Sequence, residues 1–100
     1  MIEIVYVCEE MKKFRDALDK KGISWSDDSN GGEAWMCRTA IKVGRKRYTA
    51  INGYGSWGGL SPKLGVNRGL LECWDHRKDH EPVGMLTAEQ AMEYCGFGGE

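Results

Sequence analysis

Cys73, His76 and His80 stand as C-x-x-H-x-x-x-H, with Asp75 and Asp79 between them. Zinc accepts thiolate and imidazole ligands, and this run would supply three of the four that a closed site takes. No CxxC and no further ligand pair completes the set, so neither a metal centre nor a cofactor is read here. The same thiol beside a histidine has the composition of a nucleophile and its base, as in a small hydrolase. Cys73, however, alternates with Leu71 in an apolar stretch, where burial raises a thiol pKa. The two histidines then read as solvated side chains in a charged loop. No catalytic residue is assigned, and the chain is expected not to be an enzyme.

A second set of residues is cationic. The formal net charge is -1, but residues 1–33 carry eight acids and five bases, residues 34–71 seven bases and no acid, and residues 72–100 seven acids and two bases. Segregation of this kind points to an anionic partner, or to an acidic patch that meets a second protein. Arg38, Lys42, Arg45, Lys46 and Arg47 supply most of the central charge. They run into GYGSWGGLSPKLGVNRG, Gly53 to Gly69, which holds six glycines and no acid. Gly53, Gly55 and Gly58 match G-x-G-x-x-G, yet the dinucleotide fingerprint needs a helix opening within it, and Pro62 and Gly65 forbid one. What remains is a pliable segment whose bare amides can approach an anion. Tyr54 and Trp57 are available in it for stacking, and Lys63 and Arg68 for charge. Trp57 has no strand or helix to hide it and is the expected anchor residue.

These side chains need elements to hold them. Ala34–Val43 alternates, with Trp35, Cys37, Thr39, Ile41 and Val43 on one side and Met36, Arg38 and Lys42 on the other. A type II′ turn with Gly44 and Arg45 at its centre sets Ile41 opposite Tyr48, Thr39 opposite Ala50, Cys37 opposite Asn52 and Trp35 opposite Tyr54. The same register places Lys42 opposite Arg47 on the outer face. Like charges so placed weaken a hairpin, and a bound anion relieves them. The opposing account is that both side chains splay into water or blunt a sheet edge.

Around the hairpin, Ile2–Cys8 reads as a central strand and Glu9–Lys21 as a helix with Met11, Phe14 and Leu18 on its buried stripe. Gly22 followed by Ile23 is the signature of a Schellman stop. Ile23–Ser26 fits a short strand and DDSNGG a polar turn. Leu70–Asp75 reads as a strand and Pro82–Leu86 as an extended piece. Thr87–Cys95 reads as a helix with a Thr87/Gln90 capping box, a buried stripe of Ala88, Met92 and Cys95, and Gly96 and Phe97 ending it. The order predicts an α+β domain: a mostly antiparallel sheet of four to five strands with two helices packed on one face.

A chain of 100 residues fits one domain over residues 1–100 and no second core. It has neither a membrane-length apolar run nor a signal-type N-terminus, so it is expected in the cytoplasm and off the membrane. Cys8, Cys37, Cys73 and Cys95 each fall in a strand or helix, where cysteines of a reducing compartment serve as small buried hydrophobes.

The hairpin running into INGYGSWGG, then GLLECW, then EPVGMLTAEQAMEY, resembles small uncharacterised proteins encoded by phages and prophages of Gram-positive bacteria. The resemblance implies an accessory role in the host-cell cytoplasm, among inhibitors of host defence such as anti-CRISPR proteins and sponges for nucleotide signals. The partner expected is a host protein or nucleoprotein complex, or an anionic nucleotide or nucleic acid on the basic, glycine-rich centre; a homo-oligomer also fits. A protein-protein inhibitor would instead turn Asp27, Asp28, Glu33 and the loop Asp75–Glu81 toward a basic groove.

Overall fold

The computed structural model describes residues 7–30, 36–53, 60–61, 66–67, 69–77 and 81–98. In chain order these form α1 (Glu9–Lys20), β1 (Trp25–Asp27), β2 (Met36–Val43), β3 (Lys46–Gly53), β4 (Leu60–Ser61), β5 (Val66–Asn67), β6 (Leu71–Asp75), β7 (Val83–Leu86) and α2 (Ala88–Tyr94). Five strands make one antiparallel sheet in the order β1-β2-β3-β6-β7, and β4 pairs with β5 apart from it. The architecture is α+β, as the element order predicts.

The β2–β3 hairpin has the predicted register: Cys37 faces Asn52, Thr39 faces Ala50, Ile41 faces Tyr48 and Lys42 faces Arg47. Trp35 and Tyr54 lie outside the described residues. Gly44 has φ +61 while Arg45 keeps a negative φ, which is the backbone of a type II′ turn. Val43 departs from expectation. It is 41% exposed, because the strand pair runs past the helices at its tip and leaves the last inward position in water. The glycine-rich segment is also more regular than its composition suggests, since Leu60 and Ser61 pair with Asn67 and Val66.

Side chains of Cys37, Thr39, Ile41, Tyr48, Ala50, Asn52, Leu71 and Cys73 are buried on one side of the sheet, and both helices cover that side. Helix α1 contributes Met11, Phe14 and Leu18, each fully buried; α2 contributes Ala88, Ala91 and Met92, and Tyr94 accepts the Asp75 N–H at 2.9 Å through its hydroxyl. The two helices are tied end to end. Glu10 Oε1 accepts the N–H of Ala88 at 2.8 Å, and the Thr87/Gln90 capping box satisfies two more amides at the same terminus. Both helices stop as predicted: Ile23 N–H bonds to Leu18 O and Gly22 N–H to Asp19 O, while Phe97 N–H bonds to Met92 O and Gly96 N–H to Glu93 O. Gly22 and Gly96 take φ +70 and +80, which a glycine adopts without a Cβ clash. Phe97 then folds back so that its ring meets Tyr48 edge to face at 5.7 Å.

Of the strand predicted over Ile2–Cys8, residues 2–6 lie outside the described residues. Val7 and Cys8 are not part of a strand. Cys8, at φ -70 and ψ 162, is the N-cap of α1, so the chain has already turned into the helix where the strand was expected to end.

Candidate binding face

Strand alternation sorts the candidate cations. Cys37, Thr39 and Ile41 point toward the helices, so Arg38, Ala40 and Lys42 point away; on β3, Arg47, Thr49 and Ile51 do the same. On β6, Glu72 faces Ile51 and Trp74 faces Thr49 across the ladder, and His76 follows beside Arg47, whose carbonyl accepts the His76 N–H at 3.0 Å. Among the described residues no helix covers this side.

Two shallow concavities lie along it. One, of about 380 Å³, is lined by Ser26, Ala40, Lys42, Arg47, Thr49 and His76. The other, of about 440 Å³, is lined by Arg38, Ile51, Glu72, Trp74 and Pro82 together with the same Thr49 and His76. These two shared residues are joined, with Thr49 Oγ1 3.0 Å from His76 Nε2. The imidazole also lies against the indole of Trp74, with ring centroids 4.2 Å apart and planes inclined by 35°. Trp74 is 37% exposed, which leaves part of the ring pair open to solvent.

The charge on the face is uneven. Arg38 is bonded to Asp28 at 3.7 Å, and Glu72 adds a carboxylate at the same end. At the other end, among the described residues, Lys42, Arg45, Lys46 and Arg47 have no carboxylate within ion-pair distance. Lys42 and Arg47 stand directly opposite each other on the uncovered side. Arg45 sits in the turn, and Lys46, paired with Val43, belongs by alternation to the side of Tyr48. The uniform positive surface expected of five cations is therefore reduced to one pair beside a mixed end. Tyr54, Trp57, Lys63 and Arg68 lie outside the described residues.

The cysteine and histidine motif does not assemble. Cys73 is fully buried on the helix side, while His76 is exposed on the opposite side; His80 lies outside the described residues. The neighbouring Cys95 thiol, through a hydrogen bond, and then burial push the Cys73 pKa far above its ordinary value. A thiol so placed is a packing group rather than an activated nucleophile. Among the described residues no group of three or more metal-type side chains converges, and no helix is long and apolar enough to cross a membrane.

Trp74 is not among the residues expected to bind, and Trp57, the expected anchor, lies outside the described residues. The alternation of Trp74 with Cys73 is visible in the sequence, but only the packed helices show which side of β6 they cover. Searches of family models, of curated proteins and of solved structures find no match to this chain.

Proposed function

We propose that the chain is a non-enzymatic binding protein that holds an anionic ligand against the side of its sheet opposite the helices. The observation that carries this reading is the Lys42–Arg47 pair, which is directly cross-strand and has no acid beside it among the described residues. Such a pair is a standing electrostatic cost of some fraction of ~0.2–1 kcal/mol, and an anion seated between the two side chains turns it into a gain. In the phage setting that the resemblance implies, the protein would serve as an inhibitor of host defence, anti-CRISPR-like in role, by occupying an anionic element of a host complex or by sequestering a nucleotide signal.

The acidic alternative has less support. Asp27 accepts bonds from the Ser29 hydroxyl and backbone N–H and lies 3.4 Å from Arg15; these interactions, the Ser29 hydroxyl foremost, hold its pKa below the usual carboxylate value. Asp28 is engaged by Arg38. Both carboxylates are thus used within the chain.

Heparin-agarose, a generic polyanion, tests the proposal. The protein should be retained at low salt and eluted by salt, and the doubly reversed variant Lys42→Glu/Arg47→Glu should flow through while keeping its thermal melt. Passage of the parent protein through the resin at low salt would exclude it.

A further inference from the structure

We infer that the anion held on this face is single-stranded nucleic acid, with a base laid on the Trp74–His76 ring pair and the adjoining phosphates taken by Arg47 and Lys42. This rests on the binding-face reading above and names its ligand. Three observations carry it.

The first is the ring pair. An indole and an imidazole 4.2 Å apart, part exposed on a sheet face, form a platform on which any nucleobase can extend the stack, because every base has a π-face. Neither ring is loosely placed. His76 is held by the contact with Thr49, and the Trp74 indole, on a paired strand, lies against that imidazole.

The second is the order of groups across the strands. Trp74 sits on β6 and His76 just past its end, Arg47 on β3 next to His76, and Lys42 on β2 opposite Arg47. Neighbouring strands lie ~4.8 Å apart, so rings, guanidinium and ammonium step across the sheet at intervals of that order. A ligand that is aromatic at one end and anionic toward the other matches this order; a plain polyanion would leave the rings unused. The opposite end of the face, where Arg38 is already paired with Asp28, offers less free positive charge and so sets the direction in which phosphates run.

The third is shape. A free nucleotide is normally bound in a pocket that encloses most of its surface. Here two concavities of about 380 and 440 Å³ adjoin, with Thr49 and His76 lining both. Adjoining hollows suit a polymer that is held weakly at several points in succession. Duplex nucleic acid does not fit, since its bases are already stacked and paired and cannot reach the rings.

Fluorescence anisotropy with a labelled short oligothymidylate tests the assignment, with ATP, a duplex of equal length and heparin as competitors. The parent protein should bind the single strand, quench its tryptophan emission on doing so, and prefer it over ATP and duplex. Trp74→Leu should weaken binding about tenfold or more, the loss expected for one stacked base, and Trp74→Phe should restore most of it. His76→Ala, which alters an exposed ring, gives a second test of the platform if Trp74→Leu fails to fold. Lys42→Ala/Arg47→Ala should lower the slope of log affinity against log salt by about 1.4, or about 0.7 for each phosphate of a single strand that is no longer neutralised. If the protein is retained on heparin but the oligonucleotide binds no better than duplex, or binds equally after the folded ring variants, the nucleic-acid assignment falls and the anion-binding face stands. If neither heparin nor the oligonucleotide binds, both fall.

Discussion

The guanidinium of Arg15 donates to Thr39 Oγ1 at 2.7 Å, to the Arg38 carbonyl at 3.3 Å and to Cys37 Sγ at 3.5 Å. It also lies 3.4 Å from Asp27 and 4.7 Å over the ring of Trp25. With its side chain 11% exposed, it is a strut between α1, β1 and β2 and not a surface charge. Helical periodicity marks Met11, Phe14 and Leu18 for the core but says nothing of Arg15, because its partners arrive from strands well beyond the helix in the chain. Truncation strands polar groups that the fold has already desolvated. Arg15→Met should therefore cost about 2 kcal/mol in urea unfolding, at the level of hydrogen bonds to a charged group. Arg15→Lys should recover little of it, since an ammonium lacks the planar fork that reaches several acceptors at once. Full recovery with lysine would show that charge alone matters there.

Strands and helices differ in how far their sequences announce them. The hairpin register and both Schellman stops were legible, because each is set by residues within one turn of the chain: Gly44–Arg45, Gly22–Ile23 and Gly96–Phe97. The binding face was not legible, because which side of β2, β3 and β6 the helices leave free depends on where α1 and α2 pack. Hence Arg38, Lys42 and Arg47 could be grouped from alternation, but Trp74 could not be joined to them. The irregularity in the last strand was equally hidden. Leu71 faces Leu86 and Cys73 faces Val83, so β7 carries one residue more than β6 over the same span, and Met85 absorbs it at φ +61. This is the left-handed region, which an unbranched side chain tolerates at a cost and a β-branched one hardly enters. Met85→Val should destabilise the protein by about 1 kcal/mol or more, whereas Met85→Gly should be neutral or slightly stabilising. The two midpoints of denaturant unfolding, compared under the same conditions, decide it; equal losses for valine and glycine would mean that the Met85 side chain, and not its backbone angle, matters.

Across the whole molecule the two sides of the sheet differ: one is covered by the helices and holds every cysteine, while the other, which no helix covers among the described residues, carries the rings and the cation pair. Cys8, Cys37, Cys73 and Cys95 are all free and buried. Burial raises the pKa of Cys8 and Cys37, and the Cys95 hydrogen bond followed by burial raises that of Cys73. Each folded-state pKa thus lies above that of the same thiol in the unfolded chain, which ionises near ~8.5. The neutral thiol's contribution to stability is complete below that value and is lost as pH climbs above it, because only the unfolded state releases the proton. The loss has a ceiling of about 1.4 kcal/mol per pH unit for each thiol that stays protonated in the fold. Urea midpoints should therefore hold level from about pH 7 to 8 and decline steeply toward about pH 10. Cys73→Ala should start lower, from the cavity it leaves, but decline less steeply, since one releasable proton is gone. A parent protein whose midpoint stays flat to about pH 10 would show that the thiols are not sealed in. Because the rings and the cation pair stand on the opposite side of the sheet, ligand binding should follow this alkaline loss only as far as the fold itself is lost.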